Sequence, residues 1–166
     1  MRGCRPALPV TARTEPRSCP NIPSLGAQPA FYTTVQLLMF RDKLRVTEPM
    51  NEMAKGLTDA ELQKAADIIS KLPPPVPVSD TPDAARMEKA RALSQQHRCN
   101  FCHQANYAGR ENVPGWPASA RTTCSRRCAA TRTIRDAASR RQMSEVVYDL
   151  KDEDFVELAY FLARQK

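Results

Sequence analysis

The chain is 166 residues long, with a formal net charge of +7, 42% hydrophobic residues, 6 cysteines, and 5 glycines against 14 prolines. That length allows one ordinary domain or two small ones. So few glycines exclude a glycine-rich loop protein, and no run approaches the roughly 18–20 consecutive apolar residues of a membrane span, whereas the basic excess invites a nucleic-acid or acidic-surface partner.

The position of the charge weakens that invitation. Residues 1–20 carry Arg2, Arg5, Arg13 and Arg17 against Glu15, a net of +3. Residues 117–142 carry seven arginines against Asp136, a net of +6, which leaves −2 for the rest of the chain. The same two blocks hold Cys4, Cys19, Cys124 and Cys128 and contain no lysine.

In chain order, Met1–Pro20 has no 7–15-residue apolar core and so does not read as a secretory signal. Helical spacing then predicts a first helix over Phe31 to Arg45, with Phe31, Val35, Leu38, Met39 and Leu44 on its apolar side. A second follows the capping box Thr58-x-x-Glu61, with Leu62, Ala65, Ala66 and Ile69 at i, i+3, i+4, i+7. It stops at Lys71–Leu72, before the stiff proline run Pro73-Pro74-Pro75-Val76-Pro77 and Ser79-Asp80-Thr81-Pro82. A third helix runs from Ala84 to about His97 and leads into Cys99. The last spans about Lys151 to Arg164, with Phe155, Leu158, Ala159 and Leu162 apolar.

The segments on either side of the proline run repeat one another. Met50-Asn51-Glu52-Met53 through Asp59 lies over Met143-Ser144-Glu145-Val146 through Asp152 at an offset of 93. The offset carries Leu62, Ala65, Ala66 and Ile69 onto Phe155, Leu158, Ala159 and Leu162. Asn21-Ile22-Pro23 matches Asn112-Val113-Pro114 at 91. The constant spacing indicates a duplicated small domain.

Cys99-Asn100-Phe101-Cys102-His103 is a Cys-x-x-Cys-His, the spacing of a covalent haem c site. Two thiols on one helical turn can each add to a porphyrin vinyl group, and the adjacent histidine then serves as proximal ligand. A soft methionine thioether is a common second ligand in electron carriers. Met143, 40 residues after His103 and ahead of the last helix, is the candidate. Met50 is its first-half equivalent, whereas Met39 and Met53 have no counterpart and read as packing. A different chemistry is also open here. Cys99 and Cys102 with Cys124 and Cys128 could form a zinc site among arginines, as in a basic nucleic-acid-binding module.

The order helix, Cys-x-x-Cys-His, Asn-x-Pro, helix, methionine, Leu-x-Asp, helix resembles a class I cytochrome c, and two such units in tandem resemble the dihaem cytochrome c4 family. The resemblance implies an all-α fold of two tandem small cytochrome c-like helical domains, the first degenerate. It divides the chain into unassigned residues 1–20, disordered or out of frame, a degenerate domain 21–72 lacking Cys-x-x-Cys-His, a Pro-rich linker 73–84 and a haem domain 85–166. It further implies periplasmic electron transfer by haem c cycling Fe(II)/Fe(III), with no enzyme activity and no nucleic-acid partner. The implied partners are a bc1-type complex and a haem–copper terminal oxidase. Cys99 and Cys102 would form the thioethers, with His103 proximal and Met143 distal. Phe101, Val113, Leu150 and Phe155 would line the haem pocket, together with Val146, Val147 and Tyr107. One haem is expected, and a second only if the true gene product has an intact N-terminal motif.

The two arginine-rich blocks coincide with the two failures of that pattern. After Asn-x-Pro the family continues Leu-Ala-Gly-Gln and a Tyr/Leu-rich helix. The first half keeps Ser24-Leu25-Gly26-Ala27-Gln28-Pro29-Ala30-Phe31-Tyr32, but the second reads Gly115-Trp116-Pro117-Ala118 onward. Codons permitted for Gly115–Arg126, read two bases later, encode Leu-Ala-Gly-Gln-Arg-Glu-Asp-Tyr-Leu-Leu-Lys. Residues from about 115 to 142 are therefore expected to derive from a shifted frame restored before Met143, and residues 1–20 from a second frame error or an incorrect start. The extreme form of this expectation is a non-functional remnant of a cytochrome.

Overall fold

A computed structural model of the chain describes residues 24–116 and 138–165. Both arginine-rich blocks lie largely outside these residues. Seven helices and no strand occur among them: α1 (Ala30–Arg41), α2 (Met50–Ala54), α3 (Asp59–Lys71), α4 (Ala84–Gln96), α5 (Cys99–His103), α6 (Ala138–Val146) and α7 (Asp152–Leu162). In the first half α1 packs on α2 and α3, and in the second α4 packs on α5 and α7.

The first helix is shorter than its apolar spacing suggests. The Asp42 amide closes on Leu38 O, and Lys43 at φ +56° turns the chain out of the helix, a left-handed stop of the usual C-terminal kind. Leu44, beyond the stop, is 72% exposed, and so is Phe31 at 60%. Thr33, Met39 and Phe40 are buried instead. Buried Asn51 then ties α2 to the end of α1. Its Nδ2 donates to Phe40 O and Arg45 O, both at 2.8 Å, and its Oδ1 accepts from the Thr47 amide.

α3 begins at the expected capping box. The Glu61 amide donates to Thr58 Oγ1 at 3.3 Å, and the Thr58 amide donates back to Glu61 Oε2 at 2.8 Å. Leu62, Ala66 and Ile69 form its buried stripe, the apolar face that drives packing on α1.

The proline-rich segment is fastened at both ends. Near its start the Pro73 carbonyl passes Gly26 so closely that a Cβ there would lie 2.2 Å from the oxygen. Downstream, the Val78 amide donates to Ala163 O at 3.0 Å, and Asp80 takes both carboxylate oxygens to the Arg164 guanidinium at 2.6 Å. Tyr160 lies between the Arg86 and Arg164 guanidinium groups, 3.9 and 3.6 Å from its ring centre, and its hydroxyl accepts the Asp83 amide. Asp83 in turn caps α4 through Oδ1.

The repeat is visible in three dimensions. Leu62, Ala66 and Ile69 are buried, and so are Phe155, Ala159 and Leu162. Asn51 and Ser144, 93 apart, are both buried, as are Ala54 and Val147. The helix starts also correspond, since the Lys151 amide donates to Asp154 Oδ2 at 3.0 Å as Thr58 does to Glu61.

Candidate functional site

Arg98, in the left-handed conformation at φ +49°, separates α4 from α5 and starts a new helical turn at Cys99. One turn holds the whole Cys-x-x-Cys-His. Three-residue spacing along a helix brings side chains to neighbouring positions on one face, so Cys99 and Cys102 are neighbours. Cys99 is half-buried and Cys102 exposed. Cys99 packs against the cluster of Ala90, Tyr107, Ala159, Phe161 and Leu162.

His103 closes the turn and is 4% exposed. Its Nδ1 lies 2.9 Å from Pro114 O. A carbonyl only accepts, so Nδ1 carries the proton, and Nε2 of the neutral ring keeps its lone pair for a metal. Burial pushes the His103 pKa below its ordinary value of 6.5, against a smaller upward pull from the Pro114 carbonyl. Both effects suit a ligand: the ring stays neutral, and its partner fixes tautomer and orientation.

The loop that supplies Pro114 is well tied. The Gly109 amide donates to His103 O, Arg110 and Val113 exchange amide and carbonyl, and the Trp116 amide donates to Tyr107 O at 2.7 Å. The Trp116 indole stacks on the His103 ring, centroids 3.7 Å apart and planes 25° from parallel. Gly109 at φ +74° is fixed as glycine, since a Cβ there would meet Val113 and Pro114 at 2.5 Å.

An apolar cavity of about 20 Å³ adjoins this loop, lined by Cys99, Tyr107, Trp116, Met143, Leu150 and Phe155 among others. It is far smaller than the roughly 300–1,000 Å³ of typical ligand pockets, with the Trp116 indole filling the space beside His103. The Tyr107 hydroxyl is hydrogen-bonded to that of Ser94 at 2.6 Å, so it adds no unsatisfied polar group to the wall. Val147, Leu150, Phe155 and Leu158 form one cluster, with Leu93 and Met143 against it. Haem c fits this donor set: paired cysteines on one turn, a buried neutral histidine oriented from behind, and a thioether on an apolar wall.

The structure thus brings Cys99, Met143, Leu150, Phe155, Val147 and Tyr107 to one cavity beside His103. It does not bring every expected residue there. Phe101 is 80% exposed and does not line the cavity. Val146 is also exposed, one position out of register with Val147. Val113 is half-buried in the bridge to Arg110 and is not among the residues lining the cavity. Met50 begins α2, half-buried, and is likewise not on the cavity wall. Sequence reasoning passed over Trp116 and Ser94 as pocket residues. The signal for Trp116 was its place two residues after Pro114, whereas Ser94 carried none.

Cys124 and Cys128 lie outside the described residues. Among the described residues no group of three or more His, Cys, Asp and Glu is placed to hold a metal ion. No helix among them is long and apolar enough to cross a membrane.

No protein-family model matches the chain, and no curated protein matches it. Solved structures do match its fold. Cytochrome c4 of Acidithiobacillus ferrooxidans superposes with a TM-score of 0.75 at 18% identity, over 88% of this chain and 90% of that one. Reduced recombinant cytochrome c4 of Pseudomonas stutzeri gives 0.78 at 19% identity, over 90% and 87%. Thiosulfate dehydrogenase of Marichromatium purpuratum gives 0.69 at 19% identity, over 88% of this chain and 33% of that one. The chain therefore has the all-α cytochrome c4 fold of tandem small helical domains.

Proposed function

We propose that the chain is an electron-transfer cytochrome whose second half, residues 85–166, holds one covalent haem c through Cys99 and Cys102, with His103 and Met143 as axial ligands. The observation that carries this reading is the 2.9 Å contact from His103 Nδ1 to Pro114 O, immediately after a Cys-x-x-Cys on one helical turn. A redox cysteine pair has no need of a buried histidine held in this tautomer. Haem supplies the one-electron Fe(III)/Fe(II) couple when bound. The protein's own part is to hold the Nε2 lone pair in place, present the Met143 thioether, and exclude water with Val147, Leu150, Phe155 and Leu158. No side chain makes or breaks a substrate bond, so the chain is a carrier and not an enzyme.

The first half, residues 21–72, has no Cys-x-x-Cys-His in its sequence and carries no covalent haem in this reading. Met50 there keeps the position of a ligand without a partner histidine. By the same reading the protein works in the periplasm between redox proteins such as a bc1-type donor and a haem–copper oxidase, with residues 73–84 as the linker.

The test is production of the full chain in a host that matures c-type cytochromes. The expected product keeps its haem through acid and organic extraction and shows a sharp α-band on reduction. Met143→Ala is expected to retain covalent haem but lower the reduction potential, as loss of a thioether ligand does. Colourless protein with stoichiometric zinc would replace this reading with the nucleic-acid module, and insoluble protein without haem would leave only the frame-shifted remnant.

A further inference from the structure

A side chain of the first half meets the second directly behind the histidine. Gln28, in the loop before α1, reaches across 87 residues to Gly115. Its Oε1 accepts the Gly115 amide at 3.0 Å, and its Nε2 donates to the Gly115 carbonyl at 2.8 Å. The Gly115 amide and the Pro114 carbonyl are the two ends of one peptide group. That carbonyl is the one that accepts from His103 Nδ1. The bonds therefore run in series: Gln28 Oε1 to the Gly115 N–H, through the planar peptide to Pro114 O, and from there to the His103 N–H.

We infer that Gln28 is a positioning residue for His103, and that the first half acts on the redox site of the second through this one peptide. This inference rests on the electron-carrier reading above. The physical argument has two parts. Hydrogen bonds in series polarise one another, so an acceptor on the peptide N–H makes Pro114 O a stronger acceptor and shifts electron density in the imidazole toward Nε2. A more electron-rich Nε2 favours the ferric state, and Gln28 lowers the potential. The second bond, to the Gly115 carbonyl, holds the next peptide as well, whose N–H belongs to Trp116 and donates to Tyr107 O. Both peptides around buried Gly115 are thus fixed, and with them the loop that carries the His103 partner and the stacked indole.

The Gln28 loop is built for this reach. The Gly26 amide donates to Ser24 Oγ and the Gln28 amide to Leu25 O, and Ala27 takes a left-handed φ of +56°. The absence of a side chain at Gly26 lets the loop lie against the Pro73 carbonyl. The first half thereby has a use that needs no haem of its own.

The experiment compares full-length, haem-loaded wild type with Gln28→Met and Gln28→Glu. Covalent haem on wild type is measured first, and its absence defeats the electron-carrier reading whatever Gln28 does. With haem present, two quantities are read: the His103 Nδ1–H and Gly115 amide resonances of the diamagnetic ferrous protein, and the midpoint potential. Gln28→Met removes both bonds. It is expected to move both resonances upfield and to raise the ferrous-to-ferric ratio at fixed potential by up to about tenfold, or about 59 mV for one electron. Gln28→Glu keeps an acceptor for the Gly115 amide with added negative charge, and its potential is expected not to rise. Opposite behaviour of the two variants supports tuning through the peptide. Unchanged resonances and potential in Gln28→Met, or equal upward shifts in both variants with a lowered melting temperature, overturn it.

Discussion

Leu62 and Phe155 stand at the same position of a 93-residue repeat, and both are at most 2% exposed, yet they bury different things. Leu62 belongs to α3, which closes on α1 in a packed helical layer. Phe155 closes on a cavity that it shares with Met143, Leu150 and Trp116. The helices after the methionine are alike in both halves, and the difference lies in what precedes them. The second half has a helix and a Cys-x-x-Cys-His turn ahead of its Asn-x-Pro; the described part of the first half starts after that point and fills its core with α1. The closing helices are alike in both halves, while the Cys-x-x-Cys-His turn among the described residues belongs to the second.

The largest expected effect separates those roles completely. Replacing Cys99 and Cys102 together by serine is expected to abolish covalent haem, read as loss of haem staining on the denatured chain. Helix α3 is expected to keep its protection from hydrogen exchange in the same variant, because Leu62, Ala66 and Ile69 pack on α1 without the haem turn. Loss of α3 protection would show the halves to be one cooperative unit and remove the distinction.

Core truncation makes the same comparison through stability. Phe155→Ala is expected to cost about 3–5 kcal/mol and Leu62→Ala about 2–5 kcal/mol, the range for large buried side chains. Denaturant unfolding followed at the haem band should register Phe155→Ala strongly and Leu62→Ala weakly, with far-ultraviolet ellipticity registering both. Equal effects on the haem band would mean that the first half supports the site with its whole core and not through Gln28 alone. Gly26→Ala is a smaller change at that contact. Its new Cβ would sit 2.2 Å from Pro73 O, so the loop must shift, at a cost of about 1–3 kcal/mol as for other overpacked sites. The Gly115 amide resonance should move with it, and a stationary resonance would separate Gly26 from the clamp.

Much of this was legible in the sequence for reasons of spacing. The capping box at Thr58, the stripe from Leu62 to Ile69 and the stop before Pro73 are local patterns, and each became the expected element. The helical spacing of Phe155, Leu158, Ala159 and Leu162 marked the face of the last helix that is buried. What the sequence hid was set by single-residue geometry. Phe101 lies between the cysteines in sequence, yet its side chain is 80% exposed, which its residue type does not announce. Val146 and Val147 are equally apolar, and only their places at the end of α6 and in the turn after it tell them apart. Lys43 ends α1 by a left-handed conformation that its side chain does not advertise. The Gln28 clamp was least legible, since it joins residues 87 apart through backbone atoms whose identity no side chain records.

The smallest effect tests how evenly the repeat has been maintained at its helix starts. Thr58 caps α3 with its hydroxyl, and Glu61 returns a bond to the Thr58 amide. Lys151, the equivalent residue 93 positions on, has no hydroxyl, and its amide bond to Asp154 Oδ2 is the counterpart of that return bond. Thr58→Ala is expected to cost about 1 kcal/mol, and Lys151→Thr to add stability where threonine can supply the missing bond. The pH dependence should follow Glu61. Hydrogen bonds from the Thr58 amide and then its hydroxyl hold the Glu61 carboxylate below its ordinary pKa of 4.5. The unfolded chain therefore takes up this proton first as pH falls, so the stabilisation is complete above pH 4.5 and fades as pH drops through the lower folded value. Thr58→Ala removes both the hydroxyl bond and part of that depression, and the gap between variant and wild type should narrow in acid. Urea midpoints measured above and below pH 4.5 check it; a gap that stays constant across that range would show that the hydroxyl acts on the Glu61 amide alone.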